Sequence, residues 1–187
     1  LDRAGITGED GPSHNGMWDL SLGSMIPSLR VCAPRDGATL RRGLGEALSD
    51  DDGPTMIRYP KGALPADIPP VSQVAGADIL WQGSGANLLL IGVGPLAHAA
   101  LEAAGLLRME GVEVDVLDPR WVFPIREDLL EQIRRNYSAV ITAEDGLLPG
   151  GYGSELAREL SPDGITVTSL GIPRMFVPLG RRDDLLR

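Results

Sequence analysis

Short apolar segments alternate with helix-like segments through the second half of the chain, and this alternation constrains the fold most. Apolar runs predict strands over 87–93, 112–118, 139–144 and 166–170. Segments of about 10 to 15 residues with helical periodicity separate these runs. Because strands joined by helices form parallel sheets that carry helices on both faces, the sequence predicts an α/β fold with a mostly parallel sheet.

The first third of the chain shows the same pattern less regularly. It predicts a helix over 13–26, a strand over 29–33, a helix opened by Asp36 and a strand over 55–59. Residues 59–77 follow with four prolines and little periodicity, which is typical of a linker. The predicted organisation is a domain in 1–65, a linker in 66–77 and a second domain in 78–187.

Both ends of the chain differ from ordinary domain ends. Leu1 stands where a methionine is usual and leads directly into a loop-like segment. Residues 181–187 resemble the first turn of a helix. We therefore expect the chain to be a fragment of a longer protein.

Composition argues against several classes of function. Asp and Glu outnumber Lys and Arg by 26 to 17, the net charge is −9 and no basic run stands out, which disfavours nucleic acids and anionic membranes as partners. The single Cys32 excludes an intramolecular disulfide, and two isolated histidines argue against a zinc site. The sequence shows neither a long apolar run nor a signal-peptide pattern, so we expect a cytoplasmic location.

The densest polar segment is Gly8–Gly16, a glycine-rich loop that enters a predicted helix. Such a loop can bring backbone N–H groups to an anionic or hydroxylated ligand, so it is a candidate site. The alternative is a capped turn in which Asp10 and Ser13 satisfy backbone donors and His14 is a surface residue.

Two arginines stand at the ends of strands. Arg58 lies at the end of the 55–59 strand, and Arg3 lies beside the presumed end of a strand that precedes the chain. Ligands of open α/β sheets bind at the carboxyl ends of strands, and guanidinium groups suit phosphate. The pair therefore suggests one anionic group held between the two arginines, with surface ion pairs as the alternative.

Two glycine-rich turns are further candidates. Gly92–Ala97 matches G-x-G-x-x-A after a strand, a short dinucleotide motif, although Pro95 removes one backbone donor. Close packing of small residues is the alternative there. Gly150–Ser154 follows Glu144 and opens a helix, as either a tight turn or part of an interface.

Seven short motifs together carry a resemblance that covers nearly the whole chain. They are Asp2–Gly5, Asp10–Gly16, Asp19–Ser21, Arg58–Gly62, Asp118–Val122, Thr142–Asp145 and Gly150–Ser154. They resemble the 1-deoxy-D-xylulose-5-phosphate synthase family, thiamine-diphosphate enzymes related to transketolase. A loop like Gly8–His14 also occurs in transketolase itself, whereas the flanking motifs look like the synthase.

The resemblance implies an architecture and an activity. Residues 1–65 would be the latter part of a pyrimidine-binding transketolase-like domain, and 78–187 most of a transketolase C-terminal domain that is truncated at its end. Members of the family are homodimers that use thiamine diphosphate and magnesium. They condense pyruvate with glyceraldehyde 3-phosphate, with loss of CO2, for isoprenoid and thiamine biosynthesis.

The resemblance also implies roles for four residues. Arg3 and Arg58 would bind the phosphate of glyceraldehyde 3-phosphate or of the product. Asp10 would contact substrate hydroxyls. His14 would hydrogen-bond the reacting oxygens and transfer protons, because its side chain titrates near neutral pH.

The family's residues for the diphosphate, the magnesium ion and the aminopyrimidine ring have no counterpart in the chain. We therefore expect no cofactor-binding or metal-binding residues here, and no turnover by the chain without the missing N-terminal domain. The alternatives are a C-terminal subunit of a split transketolase-like enzyme and a non-catalytic α/β binding module.

Overall fold

The computed structural model describes residues 1–186, which form nine strands and six α-helices. Arg187, the last residue of the second predicted domain, lies outside the described residues. The elements in chain order are α1 (Asp19–Gly23), β1 (Arg30–Cys32), α2 (Gly37–Leu48), β2 (Thr55–Ile57), β3 (Ser72–Val74), β4 (Ala77–Trp81), β5 (Leu88–Gly92), α3 (Leu96–Met109), β6 (Asp115–Asp118), β7 (Trp121–Phe123), α4 (Glu127–Asn136), β8 (Ala139–Leu147), α5 (Tyr152–Leu160), β9 (Thr166–Ile172) and α6 (Arg182–Leu185).

The larger sheet has six strands in the order β3-β4-β6-β5-β8-β9. Four of them, β6, β5, β8 and β9, run parallel. At one edge β4 pairs antiparallel with β6, and β3 pairs antiparallel with β4. Because β5 alternates its side chains, Leu90 packs with Ala97 and Ala104 of α3, whereas Leu89 and Ile91 belong to the core that α4 and α5 cover. The predicted α/β fold, with a mostly parallel sheet between helices, is confirmed.

The smaller sheet joins the two predicted domains. Its order is β2-β1-β7, with β1 parallel to β2 and antiparallel to β7. Strand β7 belongs to the second predicted domain and follows Arg120, whose φ is 56°. After this left-handed turn, β7 pairs with β1 of the first predicted domain. Backbone hydrogen bonds therefore link the two parts of the chain.

A buried arginine reinforces this junction. Arg35 follows β1, is 2% exposed, and donates to Asp78 at 2.7 Å and to Asp118 at 2.6 Å. It also donates to the carbonyl of Ile68 inside the predicted linker. Within the predicted linker over 66–77, Ser72–Val74 forms β3 and pairs with β4.

The helix predicted over 13–26 is wrong in its extent. Residues 12–14 form one 3-10 turn, and only Asp19–Gly23 is α-helical. Between them Asn15 has extended backbone angles because its side chain binds Thr7. Gly16 then bridges to Gly5, so the segment is a closed loop before it becomes a helix.

The helix opened by Asp36 matches the structure. The Asp36 carboxylate accepts from the Thr39 amide at 2.8 Å, and the Thr39 hydroxyl accepts from the Asp36 amide at 3.0 Å. This reciprocal capping box fixes the start of α2. Leu40, Leu44 and Leu48 repeat every four residues in this helix, and the last two lie toward solvent at 50% and 77% exposure.

Candidate functional site

The polar loop is closed at its base. We call Gly5–Gly16 the substrate loop, because the resemblance predicts that Asp10 and His14 within it contact substrate. The Asn15 side chain accepts from the Thr7 amide at 2.9 Å and from the Thr7 hydroxyl at 3.0 Å. The Gly16 amide donates to the carbonyl of Gly5 at 2.8 Å. Because Thr7 and Asn15 are both buried, these bonds fix the ends of the loop and leave its middle at the surface.

Asp10 lies in an exposed cluster with two cations. Lys61 Nζ donates to both Asp10 carboxylate oxygens, at 2.8 and 2.7 Å, and Arg3 Nε lies 3.8 Å from the same group. The hydrogen bond from Lys61 holds the pKa of Asp10 below its usual value. Asp10 is therefore a carboxylate at neutral pH, and about half of each cationic side chain faces solvent.

Sequence reasoning did not select Lys61 as a site residue. It follows β2 by four positions and lines a cleft of about 360 Å³ together with Asp2, Tyr59 and Pro95. Its position just beyond the carboxyl end of a strand was a usable signal. The sequence favours Arg58 as the phosphate-binding residue instead, because guanidinium groups suit phosphate.

His14 lies at the end of the 3-10 turn and is exposed. Its Nδ1 is 3.1 Å from the Ser13 hydroxyl. A protonated His14 also lowers the pKa of Asp10, although Lys61 has the larger effect, so the two predicted catalytic side chains lie near each other. An exposed imidazole beside a carboxylate can accept or donate a proton near neutral pH.

Arg58 is placed differently from the other three predicted site residues. Its side chain is 1% exposed; Nε donates to Asp19 at 2.8 Å and Nη2 donates to Asp145 at 2.8 Å. These two carboxylates raise the pKa of the guanidinium against the opposing effect of burial. Arg58 thus joins β2 to α1 and β8 from within the protein.

Glu144 lies in a second buried polar cluster next to Asp145. Its carboxylate accepts from the backbone amides of Tyr152 and Gly153, each at 2.9 Å, at the start of α5. Gly151 packs against the same carboxylate, with no room for a larger side chain. Burial raises the pKa of Glu144 to about 7, although the two backbone donors act in the opposite direction.

This raised pKa predicts a pH-dependent stability. Between the ordinary pKa of about 4.5 and the native pKa of about 7, the native state holds the proton more tightly than the unfolded state. The free energy of unfolding should therefore fall by on the order of 2–3 kcal/mol as pH rises from 4.5 to 7.5. Urea unfolding of Glu144→Gln should show a flatter pH profile, because Gln does not titrate.

The exposed Glu131→Gln variant is the control for that pH profile, since Glu131 forms only a surface pair with Arg135. Its unfolding free energy should follow the wild-type profile. A Glu144→Gln profile parallel to that of the wild type would contradict the shifted pKa.

Close packing accounts for the glycines of the Gly92–Ala97 turn. A Cβ on Gly92 would lie 2.7 Å from the Ala97 backbone nitrogen. Gly94 has a φ of 59°, and its Cβ position lies 3.6 Å from the Pro34 carbonyl oxygen of the first predicted domain. The turn is thus packed against the junction between the two domains.

Residues 1–186 show neither a metal site nor a membrane-spanning helix. No group of three or more His, Cys, Asp or Glu side chains is placed there to hold a metal ion. In the same residues, no helix combines the length and apolar character that crossing a bilayer requires.

Comparison with protein families gives two matches that together span most of the chain. The transketolase pyrimidine-binding domain matches residues 1–67, and the transketolase C-terminal domain matches residues 77–186. Two similar curated proteins are the 1-deoxy-D-xylulose-5-phosphate synthases of Nocardia farcinica, 47% identical over 100% of this chain, and of Rhodococcus jostii, 49% identical over 99% of it. The chain spans only 31% and 29% of their lengths.

Two solved structures share the fold. One, described as a split gene transketolase in an inactive beta4 tetramer, has a TM-score of 0.78 at 30% identity and covers 94% of this chain and 57% of its own. The other is the transketolase of Campylobacter jejuni, with a TM-score of 0.78 at 23% identity over 99% of this chain and 28% of its own. The second likeness concerns the fold alone.

Proposed function

Because this chain belongs to the transketolase family of thiamine-diphosphate-dependent transferases, we propose that it is part of a 1-deoxy-D-xylulose-5-phosphate synthase. The whole protein would condense pyruvate with glyceraldehyde 3-phosphate, with loss of CO2, as a cytoplasmic homodimer that serves isoprenoid and thiamine biosynthesis. The exposed cluster of Arg3, Asp10 and Lys61 carries the proposal, in a chain that resembles curated synthases over its whole length.

In this proposal Arg3 and Lys61 bind the phosphate of the acceptor. Both cations are half-exposed and approach the Asp10 carboxylate, so a phosphate can reach them from solvent. Direct contact of Arg58 with the phosphate stays a prediction, and its burial between two carboxylates is an argument against it. We assign Arg58 the role of fixing the end of β2, from which Lys61 extends.

Asp10 and His14 would act on the rest of the acceptor. The Asp10 carboxylate accepts hydrogen bonds from the acceptor hydroxyls once the phosphate has taken over the Lys61 ammonium. The exposed His14 imidazole transfers a proton to or from the reacting oxygen, since an imidazole can act both as a proton donor and as a proton acceptor. Both side chains belong to the substrate loop, so a single binding event can orient them together.

We assign none of Arg3, Asp10, His14 and Lys61 to the binding of thiamine diphosphate or magnesium. The described part of the chain offers no cluster of metal-ligating side chains, and the binding motifs of the family were not found in its sequence. We propose that other parts of the full-length protein hold both groups. The chain then supplies the acceptor half of the active site.

A split enzyme is the second candidate function. The likeness to a split gene transketolase favours it, because that name describes a transketolase encoded in separate pieces. This chain would then act with a separate N-terminal polypeptide. The third alternative is a non-catalytic α/β binding module. The packed Gly92–Ala97 turn gives little support to dinucleotide binding by such a module.

A chimera tests the proposed function. Replacing the matching segment of the Nocardia farcinica synthase by this chain should give an enzyme that releases CO2 from pyruvate and consumes glyceraldehyde 3-phosphate. The product should be 1-deoxy-D-xylulose 5-phosphate, identified by mass spectrometry. A folded chimera that transfers to ribose 5-phosphate instead would show a transketolase and contradict the proposal.

A further inference from the structure

We propose that Asp145 and Arg182 are positioning residues that hold the substrate loop, and with it Asp10 and His14, in the conformation that binds substrate. The inference rests on the proposed function of that loop. Neither residue belongs to the exposed cluster, and both come from the second half of the chain. They form one ionic chain with Asp19 and Arg58.

Asp145 forms the floor under the first residue of the loop. It is fully buried and accepts from Arg58 Nη2 at 2.8 Å. Gly5 lies directly on this carboxylate with a φ of 68°, and a Cβ there would come within 2.5 Å of the Asp145 Cγ. The Asp145 side chain therefore fixes where the loop begins.

Arg182 holds the next part of the loop from the opposite side. Its Nε donates to the carbonyl of Ile6 at 3.0 Å, and its Nη2 lies 3.5 Å from Asp145 Oδ2. Gly8 packs so closely on α6 that a Cβ there would lie 2.8 Å from the Arg182 nitrogen. Ile6 also belongs to an apolar cluster that Leu185 of α6 joins.

The same ionic chain reaches the far end of the loop. Arg58 Nε donates to Asp19 at 2.8 Å, and the Asp19 amide donates to the carbonyl of Gly16 at 3.2 Å. Two arginines thus alternate with two aspartates from one end of the loop to the other. Each of these four charges has a partner within the protein. Removal of one member should therefore loosen the loop before it loosens the sheets.

Hydrogen exchange of the chain, measured by NMR without substrate, tests the inference. In Arg182→Met, the amides of Thr7 and Gly16 should exchange about tenfold faster, while the amides of Leu90 and Val140 in the sheet stay within about twofold. In Asp145→Asn, which also changes a buried partner of Arg58, the loop amides should accelerate more than the sheet amides. Arg135→Met and Asp163→Asn are the matched controls, because Arg135 pairs with Glu131 and Asp163 pairs with Arg134 at the surface. Both controls should exchange like the wild type.

A ligand measurement separates positioning from mere stability. The dissociation constant of glycerol 3-phosphate should rise about threefold to tenfold in Arg182→Met, and Arg182→Lys should recover most of the wild-type affinity, since lysine restores the charge beside Asp145. If Asp145→Asn fails to fold, Arg182→Met decides alone. Unchanged loop exchange in Arg182→Met, or equal acceleration of its loop and sheet amides, overturns the inference. Both outcomes can be measured even if the chimera is inactive.

Discussion

Replacement of Arg58 by methionine is expected to lower the free energy of unfolding by about 3–5 kcal/mol, the usual effect of removing one partner from a buried ion pair. The variant leaves the carboxylates of Asp19 and Asp145 inside the protein, where they are 7% and 0% exposed. Arg182 approaches only Asp145, at 3.5 Å. Burial already raises the pKa of Asp19, and loss of Arg58 removes the charge that opposes this effect.

Urea unfolding at pH 7 measures this effect, and the exposed Arg135→Met variant is its control. Arg135 forms a surface pair with Glu131 in α4, so its loss should cost below about 1 kcal/mol. The deficit of Arg58→Met should shrink toward pH 4, because burial raises the pKa of Asp19 and its carboxylate can then be protonated. Equal stability losses for the two variants would contradict the buried network.

Replacement of Lys61 by alanine in the active chimera is expected to raise the KM for glyceraldehyde 3-phosphate about 10- to 100-fold, since a charge-assisted hydrogen bond contributes about 1.5–3 kcal/mol. The KM for pyruvate should stay unchanged. Arg3→Ala should act in the same direction with a smaller effect, because Arg3 lies farther from Asp10 than Lys61 does.

An acceptor without a phosphate is the control for the Lys61 variant. The KM for D-glyceraldehyde should change far less in Lys61→Ala than the KM for glyceraldehyde 3-phosphate, because no phosphate contact is lost. Lys61→Arg should retain most of the activity with glyceraldehyde 3-phosphate. An unchanged KM for glyceraldehyde 3-phosphate in Lys61→Ala would remove Lys61 from the phosphate site.

The sequence predicts the second half of the fold well, because local signals and tertiary packing agree there. The apolar run around Leu89–Ile91 is buried on both faces of the sheet, as an uninterrupted strand of this kind should be. By contrast, β7 is three residues long and depends on a left-handed Arg120. Only its partner strand β1, about ninety positions earlier in the sequence, makes it a strand, so no local pattern could predict it.

The candidate site is predictable only where residue type and position give the same answer. The substrate loop stands out by composition, whereas the ion pair between Arg3 and Asp10 was not predicted from the sequence. Arg58 occupies the expected strand end, but its burial depends on Asp145, which is distant in sequence. Asp145 and Arg182 act through this network alone, so no local sequence signal selects either as a site residue.

NMR titration of the chain with glycerol 3-phosphate tests the central claim most directly. The account predicts amide shift changes confined to the substrate loop, Asp2–Ala4 and Tyr59–Gly62, and their loss in the Arg3→Ala, Lys61→Ala double variant. Shift changes centred on Gly92–Ala97, or none at the substrate loop at saturating ligand, would contradict an acceptor site in this chain.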